Sequence, residues 1–148
     1  MRVQRNLGDY RIKRLFGGRW TWRKEVTDAC APELGPLMYR YYLIDFVWFG
    51  LYVHKFLRSD NDRHVHDHPW SFITFTLGAY WEHLPDGTVH RRSRFSLLFR
   101  PAEWQHWVEI RGGPVWTIVF RFSRRRVWGF LTERGWTDWQ TYGRENCE

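Results

Sequence analysis

Long apolar runs are missing from this sequence. The longest candidate, residues 39–53, is interrupted by Arg40, Asp45 and Gly50, well short of the 18 or so apolar residues that span a bilayer. The N-terminal stretch MRVQRNLGDYRIKRLF is basic but has no apolar core, so no signal peptide is expected. The expectation is a cytoplasmic protein with no membrane partner. Cysteine is scarce: Cys30 and Cys147 are the only two, with no other ligand type near either. That argues against a disulfide scaffold or a zinc knuckle and predicts two free, inert thiols. Lysine is scarcer than arginine, with Lys13, Lys24 and Lys55 alone among 23 basic residues. The net charge of +7 therefore rests on arginine, a skew that GC-rich coding produces as readily as phosphate recognition. The clusters at 11–14, 91–94 and 124–126 follow no nucleic-acid-reading motif, so no specific nucleic-acid partner is expected. Repeats, low-complexity tracts and linkers are absent as well, and 148 residues fit one domain.

Aromatic side chains are plentiful, at 20% of the chain, and with the β-branched residues they suit pleated strands. Residues 1–38 read as a peripheral N-terminal extension and 39–142 as a β-barrel core. YRYYLIDFVW (39–48) and LYVHKFLR (51–58) are β-rich runs divided at Gly50. SFITFTLGAYWEHL (71–84) is a long strand pattern with a weak point at Gly78. PDGT (85–88) and GGP (112–114) are turn signals between antiparallel runs, and the last segment reads as a hairpin about Arg134-Gly135. A helical period is lacking outside the N-terminal region. Short strands at regular spacing predict an all-β sandwich or closed barrel.

Three of the seven histidines fall in one pentapeptide, His64-Val65-His66-Asp67-His68. Alternate side chains of an extended segment share a face, so an H-x-H pair presents two imidazoles to one ion at bonds of about 2.0–2.1 Å. The outer two of the three start roughly 13 Å apart at about 3.3 Å per residue, so one of His64, His66 and His68 is expected not to bind. His106, at the head of a later strand, is the candidate third ligand. Imidazole-only ligation suits one divalent metal: Fe(II), Zn, Ni, Mn or Cu. His54, His83 and His90 read as solvated turn residues.

HVHDHPWSFITFTLGAY (64–80) resembles the first cupin motif, in which H-x-H precedes a strand ending near a glycine, here Gly78. RPAEWQHWVEI (100–110) resembles the second. Within cupins, the pairing of H-D-H with H-x-V-E is similar to the cysteine dioxygenase group, and the whole chain resembles small cupins of bacterial and phage genomes. The resemblance implies a jelly-roll barrel, a three-histidine ferrous site at His66, His68 and His106 with His64 left over, and oxygenase activity. The carboxylate ligand many cupins place after H-x-H is not found at Ser71 to Thr74, which favours the three-histidine pattern. The cysteine of the animal enzymes' cysteine–tyrosine crosslink is also missing, Ile73 and its neighbours standing there, so cysteine as substrate does not carry over.

Alternation supplies the other candidates. Thr74, Thr76, Tyr80 and Glu82 share one face, and Thr117 and Arg121 share another. A polar inner face suits a small polar or anionic substrate, bound by Arg40, Tyr80 and Arg121. Asp67 and Glu109 are candidates to orient the imidazoles. The alternatives to an oxygenase are a metal cupin of isomerase or lyase type and a non-catalytic binding module. The aromatic excess predicts a homodimer, formed through a barrel edge or through Trp128, Trp136 and Trp139.

Overall fold

A computed structural model describes residues 23–28, 30–60 and 64–147; the sequence expectations for residues 1–22, including any N-terminal helix, lie outside them. Among the described residues there are eleven strands: β1 Arg23–Val26, β2 Met38–Asp45, β3 Phe49–Phe56, β4 Phe72–Thr76, β5 Tyr80–His83, β6 Val89–Arg92, β7 Leu97–Arg100, β8 Trp107–Glu109, β9 Val115–Phe122, β10 Gly129–Thr132 and β11 Gly135–Asp138. An α-helix, α1 Trp139–Asn146, follows. The expected all-β architecture holds. A six-stranded antiparallel sheet in the order β1-β2-β3-β9-β4-β7 is joined by a three-stranded sheet, β6-β5-β8, and the hairpin β10-β11. Among the described residues no helix is long and apolar enough to cross a membrane.

Several boundaries differ from the pattern reading. Gly50 lies inside β3, paired with Asp45 and Arg121, and the lack of a side chain makes room for Arg121 and Tyr52, which a Cβ would meet at about 2.9 Å. Strand β1, in the segment read as peripheral, pairs with β2 from Arg23↔Tyr41 to Val26↔Met38. The 71–84 run does break near Gly78, into β4 and β5. The chain after β11 turns helical because Asp138 caps it, its Oδ1 accepting from the amides of Gln140 and Thr141, each at 3.1 Å.

The cysteines are not free. Cys30 and Cys147, 117 residues apart, form a disulfide. Chain spacing gave no hint of it, since the β1–β2 loop and the end of α1 meet only in the folded protein.

Between the sheets the inner face is mixed. Tyr52, Trp70, Phe72 and Val119 form one buried apolar cluster, and Tyr80, Val108 and Val115 another. Thr74, Thr76, Glu82, His54, Thr117 and Arg121 are buried with them. Polar residues of β3, β4, β5 and β9 thus point inward among apolar ones, and the interior holds a cavity of about 220 Å³ lined from both sheets.

Candidate metal centre

His66 sits on an isolated antiparallel bridge, paired on one side with His106 and on the other with Phe130. Its amide donates to the His106 carbonyl at 2.9 Å, and the His106 amide donates back at 3.0 Å. The His68 amide donates to the Ala102 carbonyl at 2.9 Å. Backbone pairing therefore fixes all three positions before any side chain is considered. Period-two alternation then aims His66 and His68 into the cavity and turns the Asp67 carboxylate to Gly129 and Trp136.

The three rings converge. One ligand atom from each of His66, His68 and His106 lies within 4.8 Å of the other two, and Nε2 of His68 and His106 are 3.3 Å apart. Two nitrogens at that spacing, each about 2.0–2.1 Å from one ion, would subtend roughly 105°, close to tetrahedral. Burial pushes His66 down to about 3, with the nearby His106 charge adding to the shift. His68 is pushed well below its ordinary value by burial first, then by His106 and His66, with the Trp104 backbone opposing. Both rings are thus neutral at physiological pH, the state a metal requires. The donor set and spacing fit one divalent ion.

His106 is oriented by Glu82. The carboxylate only accepts, so Nδ1–H of His106 donates to Oε1 at 2.7 Å, which leaves Nε2 as the nitrogen that faces His68 and a metal. Glu82 is itself enclosed, with no solvent exposure. It accepts from Trp104 Nε1 at 2.8 Å, from Arg100 Nε at 3.1 Å and Nη2 at 2.7 Å, and from Arg92 Nε. Burial alone would raise its pKa, but the hydrogen bonds from His106 and Arg100 hold it well below the ordinary carboxylate range. The inward alternation of Thr74, Thr76, Tyr80 and Glu82 carried the signal for this residue; its partner could not be read from spacing.

The expected orienting carboxylates act elsewhere. Asp67 accepts from the Gly129 amide at 2.7 Å and Trp136 Nε1 at 2.8 Å and pairs with Arg126 at 2.8 Å, which pins the C-terminal hairpin. Gly129 is required there, since a Cβ would come within 2.1 Å of the Thr137 carbonyl oxygen. Glu109 binds His83 at 2.7 Å and Arg111 at 2.6 Å, outside the cavity lining. His64 is not in the cluster: its Nδ1 lies 3.1 Å from the Tyr142 hydroxyl and its Nε2 3.2 Å from Glu133. The bend at His64 interrupts the alternation that would have aimed it inward.

Of the residues expected to bind substrate, Arg40 and Tyr80 line the cavity and Arg121 does not. Arg121 is held by Tyr52 Oη at 2.7 Å, Asp45 Oδ1 at 2.6 Å and the carbonyls of Phe46 and Phe122. Arg40 Nε donates to Nε2 of His54 at 2.9 Å. His54 is no turn residue: it is buried on the inner face of β3, opposite both Arg40 and Thr117. Burial, then the Arg40 charge, keeps it neutral, so its Nδ1 carries the proton. Thr117 Oγ1 is buried with no hydrogen-bond partner among the described residues. Arg40, His54 and Thr117 thus form a cross-strand polar row on the cavity floor. Asp60 enters from the turn before the histidines, its Oδ2 accepting from the Val108 amide at 2.8 Å and standing 4.0 Å from His66 Nδ1. Burial raises it to about 6 against that hydrogen bond.

No family model and no curated protein matches this chain. Among solved structures it is similar to the polyketide cyclase RemF from Streptomyces resistomycificus, with TM-score 0.56 and 18% identity over 65% of this chain and 72% of that one. It is similar to a protein with a cupin-like fold from Ralstonia eutropha, with TM-score 0.52 and 13% identity over 75% and 69%. A third is FeII HppE, with TM-score 0.54 and 13% identity over 68% and 55%. At such identities the likeness is one of architecture, and with the two facing antiparallel sheets it establishes that this chain has the all-β, jelly-roll fold of the cupins.

Proposed function

We propose that His66, His68 and His106 hold one divalent metal, with Fe(II) favoured, and that the protein is a metal-dependent oxygenase acting on a small polar or anionic molecule. The observation that carries this reading is the convergence of three imidazoles on one point, with His106 aimed by Glu82. When bound, Fe(II) in a three-histidine site supplies open coordination positions where a substrate and dioxygen can meet. The resemblance to the cysteine dioxygenase group supports iron over zinc, as does the lack of a carboxylate ligand after H-x-H. The similar HppE structure is described as its FeII form.

The protein's own residues would do the rest. Glu82 keeps the His106 Nδ1 proton in place. Arg40, the Nδ1–H of His54 and the unpartnered Thr117 hydroxyl offer donors to an anion on the cavity floor. Tyr80, whose hydroxyl is raised by burial and then by the Glu82 charge, stays protonated as a further donor. Phe72, Trp128 and Phe130 stand beside the imidazoles, His68–Phe72 at 4.7 Å and His66–Phe130 at 6.1 Å between ring centroids, and limit water there.

Elemental analysis of protein purified with and without added iron tests the metal, and an oxygen electrode tests the reaction. The expected result is about one iron per chain, lost in His66→Ala, with oxygen uptake on presentation of small carboxylates or thiols. Stoichiometric zinc that iron does not displace would overturn the oxygenase reading. A second reading, a lyase or isomerase, is favoured by Asp60, a buried carboxylate lining the cavity beside His66 and a fitting proton acceptor. Turnover without oxygen would select it.

A further inference from the structure

Antiparallel sheets usually bury an apolar face and show water a polar one. Four strands of the six-stranded sheet here depart from that pattern. The cavity side carries Arg40, His54, Thr74 and Thr117 among apolar residues, whereas the outer side of β3, β9, β4 and β7 is apolar up to Lys55. Leu51, Phe120, Ile73 and Phe99 make one unbroken cross-strand row over β3, β9, β4 and β7, and Phe75 with Leu97 begins the next. Leu97 is 71% exposed and Phe99 58%. Along β3 the first charge on this side is Lys55, whose Nζ lies 5.2 Å from the Trp116 ring centroid at the border of the patch.

The extent of the face indicates what covers it. Four strands at about 4.8 Å and four outward residues of β9 at about 6.7 Å spacing span roughly 19 by 27 Å, on the order of 500 Å² in projection. That is in the upper part of the patch range a monomer leaves exposed, and the accessible surface of a pleated face exceeds its projection, toward the ~800 Å² per partner of a stable complex. The one cation on these four strands' outer side, Lys55, stands at its border over the Trp116 ring, so phosphates of a nucleic acid or an anionic lipid find little to hold on the face. A second copy of the sheet matches it in polarity and twist. Two such sheets can stack about 10 Å apart at about −30° around a twofold axis.

We propose that the outer face of β3-β9-β4-β7 is the interface of a symmetric homodimer in which two copies pack sheet on sheet. The cavity is on the opposite side of the same sheet, so pairing leaves both cavities accessible. This inference is independent of the metal. The Trp-rich C-terminal segment is engaged within the chain, where Trp136 donates to Asp67 and Trp128 stacks on Trp139, and offers the less apolar face of the two.

Sedimentation equilibrium of the full chain from 1 to 100 µM tests it. The wild type is expected at twice the 18.3 kDa chain mass. Phe99→Glu and Leu97→Glu, both at positions exposed in the single chain, should weaken dimerisation at least 100-fold. Val89→Glu, exposed on β6 of the other sheet, should leave it unchanged. A wild type that stays monomeric at 100 µM overturns the proposal, and so does a dimer indifferent to Phe99→Glu. Co-sedimentation of monomer with neutral phosphatidylcholine vesicles, abolished by Phe99→Glu, would reassign the face to membrane docking and equally overturn it.

Discussion

His66 and His106, forty residues apart, exchange both backbone hydrogen bonds across a two-residue bridge, at 2.9 and 3.0 Å. Directly opposed residues on an antiparallel pair put their side chains on the same face, so the bridge alone brings the third imidazole to the H-x-H pair. Metal binding should therefore depend on each ring without depending on any ring for folding. His66→Ala, His68→Ala and His106→Ala are each expected to drop bound metal from about one equivalent to less than a tenth by elemental analysis, with the far-ultraviolet circular dichroism spectrum retained. His64→Ala should keep the full equivalent.

Glu82 is expected to act at two levels. Glu82→Gln keeps an acceptor for His106 but removes the charge, and metal affinity by titration calorimetry should fall about 10–100-fold. Glu82→Leu leaves Arg92 and Arg100 without their carboxylate in the interior and should cost about 3–5 kcal/mol in urea unfolding. Equal affinity in Glu82→Gln and wild type would mean that Glu82 serves the fold only.

Thr117 carries an opposite trade. Its buried hydroxyl has no hydrogen-bond partner among the described residues, so Thr117→Val removes an unsatisfied group and should be neutral or stabilise the fold by about 1 kcal/mol. The same change should weaken any anion that competes for the cavity floor. A clear loss of stability would show that the hydroxyl is satisfied in solution.

His54 sets an acid sensitivity of the metal-free protein. It is held neutral when folded and takes up a proton near pH 6.5 when unfolded. Its contribution is complete above that pH and is lost as pH falls below it, by about 1.4 kcal/mol per unit. His66 and His68 act in the same direction. Asp60, raised to about 6, acts in the other, since the folded state takes its proton first. Net stability should fall between pH 7.5 and 5, and His54→Asn should reduce that fall by about 2 kcal/mol in urea midpoints measured at the two pH values.

The Cys30–Cys147 bond closes a loop spanning 117 residues. Reduction with dithiothreitol, or Cys30→Ser, should lower stability by about 2–5 kcal/mol, read as a shift of the thermal midpoint. A midpoint indifferent to reductant would mean that the thiols remain unpaired in solution.

Much of this protein was determined locally. Strand character follows from β-branched and aromatic runs, the breaks from Gly78, PDGT and GGP, and the H-x-H geometry from period-two alternation, all of which act over a few residues. The same alternation placed Thr74, Tyr80, Glu82 and Thr117 on one side of their strands. Which side faced inward was decided only by tertiary structure, because a polar lining and an apolar exterior have the same period as the reverse. The partners of charged groups were likewise undetermined: Asp67 went to the hairpin, Arg121 to Asp45 and Tyr52, and Glu82 to His106, each across 20 or more residues. The disulfide depended on the β1–β2 loop meeting the end of α1, and the final helix on one cap residue. Spacing specifies what a side chain can do; pairing across the fold decides what it meets.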